Sequence, residues 1–131
     1  MITRRFIQPQ EIRSWWDFVR PGLDVIRVKS PEYWISEDVY AECYFGKAML
    51  WVFLEDNRPF GFVVLQPKPE TLHIWCAWTQ EARFTDTCFE QVKEIAKIGN
   101  AKQVTFDSWR KGWEKRARQL NFKPRSWVME I

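Results

Sequence analysis

The stretch that decides the fold is AMLWVFLEDNRPFGFVVLQPKPETLHIWCAW, residues 48–78. Three runs in it are rich in β-branched and aromatic residues, and they predict strands at Ala48–Glu55, Phe60–Gln66 and Leu72–Trp78. Turn-forming residues separate the runs, namely Asp56-Asn57-Arg58-Pro59 and then Pro67–Pro69. Because such short connections join antiparallel neighbours, the stretch predicts a three-stranded antiparallel meander.

The residues before the meander predict one strand and mostly helices. Ile2–Phe6 has the composition of a short strand, and Pro9 suits the first turn of a following helix. Pro21-Gly22 is expected to end that helix, with a second short helix at Leu23–Val28. A third helix is expected to open at Ser36-Glu37-Asp38, whose side chains suit a helix N-terminus, and to stop at Gly46.

The residues after the meander predict helix, strand, helix and strand. Between Glu81 and Ile98 the apolar residues fall on one helical stripe, and Gly99-Asn100 supplies the stop. The remaining elements are predicted at Gln103–Phe106 (strand), Arg110–Leu120 (helix) and Ser126–Ile131 (strand), with Asn121 as a left-handed helix cap.

Length and composition predict one globular domain, residues 1–131. A single core serves about 100–200 residues, and 46% hydrophobic with 28% charged residues suits a core and a soluble surface. The opening MITRRFIQPQ has no apolar signal segment, and no stretch approaches the roughly 20 apolar residues that span a membrane. We therefore expect a cytoplasmic protein, or a virion component assembled there, and no membrane partner.

Charge is concentrated at the C-terminal end of the sequence. The whole chain carries +3, whereas Lys102–Arg125 alone carries +6. Such a basic segment suits an anionic partner, which includes a phosphorylated cofactor, a nucleic acid or an acidic protein surface.

The cysteines predict neither disulfides nor a metal site. Cys43, Cys76 and Cys88 are odd in number and widely spaced, and His73 is the one histidine available to help bind a metal. We expect three reduced, buried thiols and no metal.

The order β-α-α-β-β-β-α-β-α-β resembles the GNAT (Gcn5-related N-acetyltransferase) superfamily over essentially the whole chain. Three local segments are similar to GNAT junctions: the hairpin turn at Glu55–Gly61, the helix end at Ile98–Ala101 and the ending Leu120-Asn121-Phe122. The resemblance implies an α/β fold of the α+β type, with a mixed, largely antiparallel central sheet flanked by helices. It also implies acetyl-CoA as cofactor and an amine as acceptor.

In that superfamily the CoA pyrophosphate lies on a Q/R-x-x-G-x-G/A loop before the long helix. The corresponding segment here, residues 80–87, contains no glycine, and Glu81 and Asp86 add negative charge there. The resemblance nevertheless implies these cofactor-binding candidates: Trp78, Thr79, Gln80, Arg83, Thr85 and Arg110. It requires two central strands to separate after the third meander strand, without Phe84 or Asp86 filling the gap.

The acid and the base are less apparent. The superfamily often places a tyrosine in the last helix to protonate the thiolate, but the matching position here is Ala117. The chain's tyrosines are Tyr33, Tyr40 and Tyr44. For a general base the superfamily often uses a carboxylate on or beside the meander, and Glu55, Asp56 and Glu81 are available here, with His73 as the one imidazole. The resemblance thus implies Glu55, His73 and Glu81 as the catalytic candidates.

Two other functions stay open. The missing glycines in residues 80–87 and the missing tyrosine at position 117 favour a GNAT-shaped protein without catalysis that binds protein partners. Nine tryptophans also suit a protein-binding surface. The segment Ser108–Arg116 is similar to segments of small phage-encoded GNAT-like proteins, which suggests a phage structural or internal virion protein. Its tryptophans interleaved with basic residues also suit single-stranded nucleic acid.

Overall fold

A computed structural model of the chain describes residues 1–30, 33–107, 113–125, 129 and 131, without the side chain of Trp113. The strands are β1 (Ile2–Ile7), β2 (Met49–Glu55), β3 (Arg58–Lys68), β4 (Thr71–Thr79) and β5 (Gln103–Phe106). The α-helices are α1 (Ile12–Arg27), α2 (Ser36–Tyr44), α3 (Thr85–Ile98) and α4 (Trp113–Gln119). Within these ranges, no helix combines the length and hydrophobicity needed to cross a bilayer.

The five strands form one sheet in the order β1-β2-β3-β4-β5. Every neighbouring pair is antiparallel except β4 and β5, which are parallel. The meander is therefore confirmed, and so is the mixed, largely antiparallel sheet flanked by helices. Asp56 and Asn57 both adopt positive φ, at 50° and 68°, which is the geometry of a tight two-residue hairpin turn.

Helices cover both faces of the sheet. On one face, buried residues of α1 and α2, such as Val19 and Val39, share a core with Phe62 and Val64 of β3. On the other face, Val92 and Ile95 of α3 share a second core with strand residues that include Val63. From Phe62 to Leu65 the side chains of β3 alternate between the two cores, as the pleat of a strand requires.

The predicted break at Pro21-Gly22 is wrong, because α1 runs unbroken through both residues. Proline removes one helical hydrogen bond. The helix nevertheless continues, because Val19 and Leu23 on either side of the proline are both fully buried in the core. Gly22 has a packing role, since a Cβ there would lie 2.7 Å from the rings of Phe62 and Trp78. Tertiary packing thus outweighs the local signal for a helix end.

Other boundaries differ by less. A short 3-10 turn, Ala82–Phe84, precedes α3, so the α-helix begins at Thr85 and not at Glu81. Asn121 has the predicted left-handed conformation, with φ 69°. Residues 110–112 of the predicted last helix lie outside the described residues. So does the predicted strand Ser126–Ile131, apart from Met129 and Ile131, which are not in a strand.

Candidate functional site

The parallel strands β4 and β5 pair over only part of their length. Their register runs from Thr71 opposite Gln103 to Ile74 opposite Phe106. β4 then continues to Thr79, and this portion has no pairing to β5 among the described residues. We call the point where the described pairing ends, just after Ile74 and Phe106, the strand split. The enzyme interpretation requires the two strands to separate beyond this point, where residues 108–112 lie outside the described residues.

A β-bulge coincides with the strand split. The partners of β3 jump from Cys76 opposite Val64 to Ile74 opposite Leu65, so Trp75 is the extra residue of β4. A bulge bends its strand and increases the local twist. It therefore helps to turn the end of β4 away from β5.

The chain leaves β4 through a compact loop, residues 80–84, which we call the entry loop of α3. The N–H of Gln80 donates to the carbonyl of Phe60 at 2.8 Å, and the N–H of Glu81 donates to Thr79 Oγ1 at 3.0 Å. The N–H groups of Ala82 and Arg83 make no backbone hydrogen bond within the described part of the chain. Two adjacent amide donors thus remain at the start of the turn that leads into α3.

The hydroxyl groups of the two threonine candidates serve the loop itself. Thr79 Oγ1 accepts from the N–H of Glu81, and Thr85 Oγ1 donates to the carbonyl of Ala82 at 2.8 Å. Both hydroxyls hold the shape of the entry loop. Gln80 is at the same end of the sheet, and its side chain is exposed to solvent.

Glu81 and Asp86, the two acidic residues expected to repel a phosphate, are each paired with an arginine. Arg83 Nε lies 3.4 Å from Glu81 Oε2, within the entry loop. Arg116 Nη2 lies 2.6 Å from Asp86 Oδ1, and it reaches across from α4. The negative charge of Glu81 and Asp86 is therefore offset by two guanidinium groups.

Arg116 is the residue that sequence reasoning missed at this place. It was visible only as one member of the basic C-terminal segment, 30 residues from Asp86. What brings it to α3 is the packing of Phe122, whose ring lies 5.6 Å from that of Phe89 and 4.8 Å from that of Phe106. No local pattern encodes that contact.

Phe84 and Trp78 both pack into the cores. The ring of Phe84 lies 5.1 Å from that of Phe60, on the α3 side of the sheet. The indole of Trp78 lies 5.8 Å from the ring of Phe62 and 6.1 Å from that of Phe18. Of the predicted cofactor contacts, Trp78 therefore offers its backbone, while its side chain packs under α1.

No family model matches the chain, and no curated protein matches it. Solved structures do match. Ribosomal-protein-alanine N-acetyltransferase from Brucella melitensis biovar Abortus 2308 superposes with a TM-score of 0.70 at 9% identity, over 100% of this chain and 98% of that one. Two aminoglycoside acetyltransferases from uncultured soil samples are similar. The first gives a TM-score of 0.68 at 10% identity, covering 99% of this chain and 93% of its own. The second gives a TM-score of 0.68 at 11% identity, and the match covers 100% of this chain and 97% of that protein's chain.

The chain has the GNAT fold. At these identities the likeness establishes the fold alone, so the chemistry must be argued from the residues themselves. Ala117, at the position where the resemblance implies a tyrosine, carries no acidic proton; its carbonyl accepts from the N–H of Phe122 at 2.9 Å. Tyr40 packs against Trp16 of α1 and against the α1–α2 core, and the exposed Tyr44 stacks on Tyr40.

The three base candidates of this GNAT-fold chain lie in different places. Glu55 and Glu81 are at the same end of the sheet, but β3 lies between their strands, a separation of about 10 Å. His73 is six positions before Thr79 on β4, about 20 Å along the strand. The structure therefore does not join the three into one site, and it places His73 beside the strand split.

His73 is 8% exposed and faces residues of β5. Its Nδ1 lies 2.8 Å from Thr105 Oγ1, and its Nε2 lies 3.9 Å from Asp107 Oδ2. Thr105 is the register partner of His73, and Asp107 is the first residue after β5. The imidazole thus stands between a hydroxyl and a carboxylate where the two strands part.

Two of the cysteines, Cys43 and Cys88, offer no nucleophile at neutral pH. Burial, with a smaller effect of Glu42, raises the pKa of Cys43 to about 12, and burial raises the pKa of Cys88 to about 11. Both thiols therefore stay protonated at neutral pH. Among the described residues no group of histidine, cysteine and carboxylate side chains is placed to hold a metal ion.

Proposed function

We propose that this GNAT-fold chain transfers an acyl group from acetyl-CoA to an amine. The observation that carries the proposal is the strand split, beyond which β4 continues to Thr79 and leads toward the start of α3. Strands that stayed paired along their whole length would leave no place for an extended ligand between them. The neighbours' acetyltransferase names support the same activity.

The residues at the start of α3 fit a pyrophosphate in spite of the missing glycines. The amides of Ala82 and Arg83 are available as donors, the helix N-terminus favours an anion, and Arg83 and Arg116 bring positive charge. Thr79 and Thr85 would hold the conformation of the entry loop around the pyrophosphate, and the exposed Gln80 would lie beside it. Arg110, a further candidate, lies outside the described residues. When bound, acetyl-CoA supplies an activated acyl thioester.

The protein's own groups would bind the amine and remove its proton. General-base removal of a proton contributes about 10²–10⁴-fold to such reactions. Of the three candidates, His73 is closest to the strand split, whereas Glu55 and Glu81 are at the far end of β4. Ala117 supplies no acid, so the departing thiolate would take its proton from the attacking nitrogen.

A cofactor titration tests the proposal. Thermal unfolding is measured with acetyl-CoA, with CoA and with adenosine diphosphate as a fragment control. A ligand at 100 times its dissociation constant adds about 2.7 kcal/mol of apparent stability. We expect both CoA compounds to raise Tm and a panel of amines to release free thiol from acetyl-CoA. A Tm that does not change at millimolar cofactor would contradict the proposal.

A second candidate is a GNAT-shaped protein that binds a partner and does not catalyse. The absence of glycine from residues 80–87 and of a tyrosine at position 117 favours it. Cofactor binding without thiol release, or no cofactor binding at all, would support this alternative. A protein partner, including a virion protein, would then be sought by pull-down, and an oligonucleotide by salt-dependent binding.

A further inference from the structure

The segment formed by α4 and the residues that follow it concentrates positive charge on the protein surface. Residues 114–125 carry five basic side chains and one acidic side chain, a net +4, whereas the whole chain carries +3. Four of the basic side chains are exposed to solvent, and we call them the α4 cation set: Lys115, Arg118, Lys123 and Arg125. The excess positive charge of the chain therefore belongs to this segment.

Neighbouring acids neutralise little of this charge. Apart from Arg118, the members of the α4 cation set form no ion pair within the described part of the chain. Arg118 Nη2 lies 3.1 Å from Glu114 Oε1, but both side chains are largely exposed, so this pair is weak. Asp86, the carboxylate of α3 that meets α4, is already paired with Arg116. The set is therefore available to an external anion.

The turn that ends α4 brings the four cations close to one another. Lys115 and Arg118 are three residues apart and both exposed, so they are neighbours on the outer side of the helix. Asn121 then adopts positive φ, and the N–H of Phe122 donates to the carbonyl of Ala117 at 2.9 Å. The chain is thus turned back beside the helix just before the other two cations.

The same turn is anchored on the α3 side of the sheet. The ring of Phe122 packs edge-on against Phe89 of α3 at 5.6 Å and against Phe106 of β5 at 4.8 Å. Pro124, between the last two cations of the set, fixes its own φ and favours an extended residue before it. The cations are therefore carried by an anchored backbone, which lowers the ordering cost of binding a ligand.

The chemistry of this surface suits a phosphate backbone better than a protein partner. Protein interfaces gain affinity from apolar and aromatic anchors, and lysine is depleted from their cores. In residues 114–125 the large apolar side chains, Leu120 and Phe122, are partly buried against the protein itself. Exposed lysine and arginine side chains supply most of the affinity in sequence-independent binding of nucleic acids. Trp109 and Trp127, which flank the segment in the sequence, suit the unstacked bases of a single strand.

We propose that the α4 cation set binds the phosphate backbone of single-stranded nucleic acid without reading its sequence. The inference is independent of acyl transfer, because none of the four cations belongs to the proposed pyrophosphate site. Four phosphate contacts predict a slope of about −3 when the logarithm of the association constant is plotted against the logarithm of salt concentration. They also predict a dissociation constant of about 10⁻⁴–10⁻⁶ M at physiological salt.

The test measures the fluorescence anisotropy of a labelled oligothymidylate of about 16 nucleotides as protein is added. Repeating the titration between about 50 and 200 mM salt gives the slope. We expect the double variant Lys123→Ala with Arg125→Ala to bind about 10-fold more weakly and to have a slope less negative by about 1.4. No saturable binding by the unsubstituted protein at the lowest salt would overturn the proposal.

The matched control is the double variant Arg27→Ala with Lys29→Ala. It also removes one arginine and one lysine that are exposed and form no ion pair within the described residues, but these belong to the end of α1, on the opposite face of the sheet. We expect its affinity and slope to match those of the unsubstituted protein. Equal losses in the two double variants, with thermal unfolding showing that both are folded, would mean that only net charge matters and would overturn the proposal.

Two competitors distinguish nucleic acid from other anions. Polyglutamate presents the carboxylates of an acidic protein, and equal affinity for it would overturn the assignment to nucleic acid. Acetyl-CoA should leave the labelled oligothymidylate bound. Its displacement by acetyl-CoA would assign the α4 cation set to the phosphates of the cofactor instead, and would overturn the inference without affecting the proposed function.

Discussion

Arg116 of α4 forms a 2.6 Å ion pair with Asp86 in the first turn of α3, and so brings a guanidinium group to the helix end where a phosphate would bind. Both side chains are partly exposed, so the pair itself adds little to folding stability. Its importance lies in charge placement. Without Arg116 the approach to α3 would carry an uncompensated carboxylate.

The first prediction concerns this pair. Arg116→Ala should weaken acetyl-CoA binding about 10-fold, because it removes a cation and exposes the Asp86 charge. Arg118→Ala is the matched control, since Arg118 is on the same helix and pairs with Glu114 instead. Calorimetric titration gives both constants. Equal effects of the two substitutions would show that only the general basic charge of α4 matters. Adding Asp86→Asn to the Arg116→Ala variant should partly restore its affinity for acetyl-CoA.

The second prediction concerns the close approach of α1 to the sheet. Gly22→Ala should lower the free energy of unfolding by about 1–3 kcal/mol, because the new methyl group meets Phe62 and Trp78 at 2.7 Å. Gly99→Ala is the control: the nearest atom there is the carbonyl oxygen of Ile95 at 3.6 Å. Urea unfolding measures both variants. If both substitutions have the same small effect, α1 does not pack against Trp78 in the way described.

The third prediction separates the structural role of Trp78 from a binding role. Trp78→Phe should lower the free energy of unfolding by about 1–3 kcal/mol, since the smaller ring leaves space beside Phe18 and Phe62. Acetyl-CoA affinity of the folded variant should stay within about twofold, a change of less than about 0.5 kcal/mol. Urea unfolding and calorimetric titration of the same variant give both quantities. A large loss of acetyl-CoA affinity with unchanged stability would instead place the indole in the cofactor site.

The fourth prediction compares the candidate bases. Glu55→Gln and Glu81→Gln should keep kcat/KM within about threefold, whereas His73→Gln should lower it about 100-fold. The reason is position, because β4 continues from the strand split at Ile74 to Thr79 before it reaches the end of the sheet where the two glutamates lie. Steady-state rates with saturating acetyl-CoA provide the comparison. A large loss in Glu81→Gln would move the base to the entry loop.

The fifth prediction follows from the thiol pKa values. The folded pKa of Cys43 is raised from 9.0 to about 12, so folding favours the protonated thiol. This contribution to stability is complete below pH 9 and is lost as pH rises from 9 toward 12. At pH 8 the native protein should therefore react slowly at Cys43 and Cys88 with a thiol reagent, and the urea-unfolded protein quickly. Rapid labelling of both residues in the native state would contradict their described burial.

Much of the fold was predictable because its signals are local. The β2–β3 turn at Asp56-Asn57, the left-handed Asn121 and the strand at Gln103–Phe106 all follow from short-range residue preferences. The helix break at Pro21-Gly22 was predicted for the same kind of reason and was wrong. There the burial of Val19 and Leu23, which depends on the distant strands, outweighed the preference of the proline.

The candidate site was less predictable, since its groups come from separate parts of the chain. The entry loop could be located from its sequence, but the neutralisation of Asp86 could not, because Arg116 arrives through the packing of Phe122 on Phe89 and Phe106. In the same way, His73 was visible as a lone histidine in a strand. Its two oxygen partners became visible only once β5 was placed beside β4.

By itself, the sequence determined the meander, the turn between its first two strands and the long helix that follows it, because these depend on side-chain pattern and backbone preference within a few residues. Only the tertiary structure decided where β4 and β5 part, which arginine meets Asp86 and what His73 faces. These are contacts between residues distant in the chain. They arise from how the two cores bring helices and strands together, and no local preference specifies them.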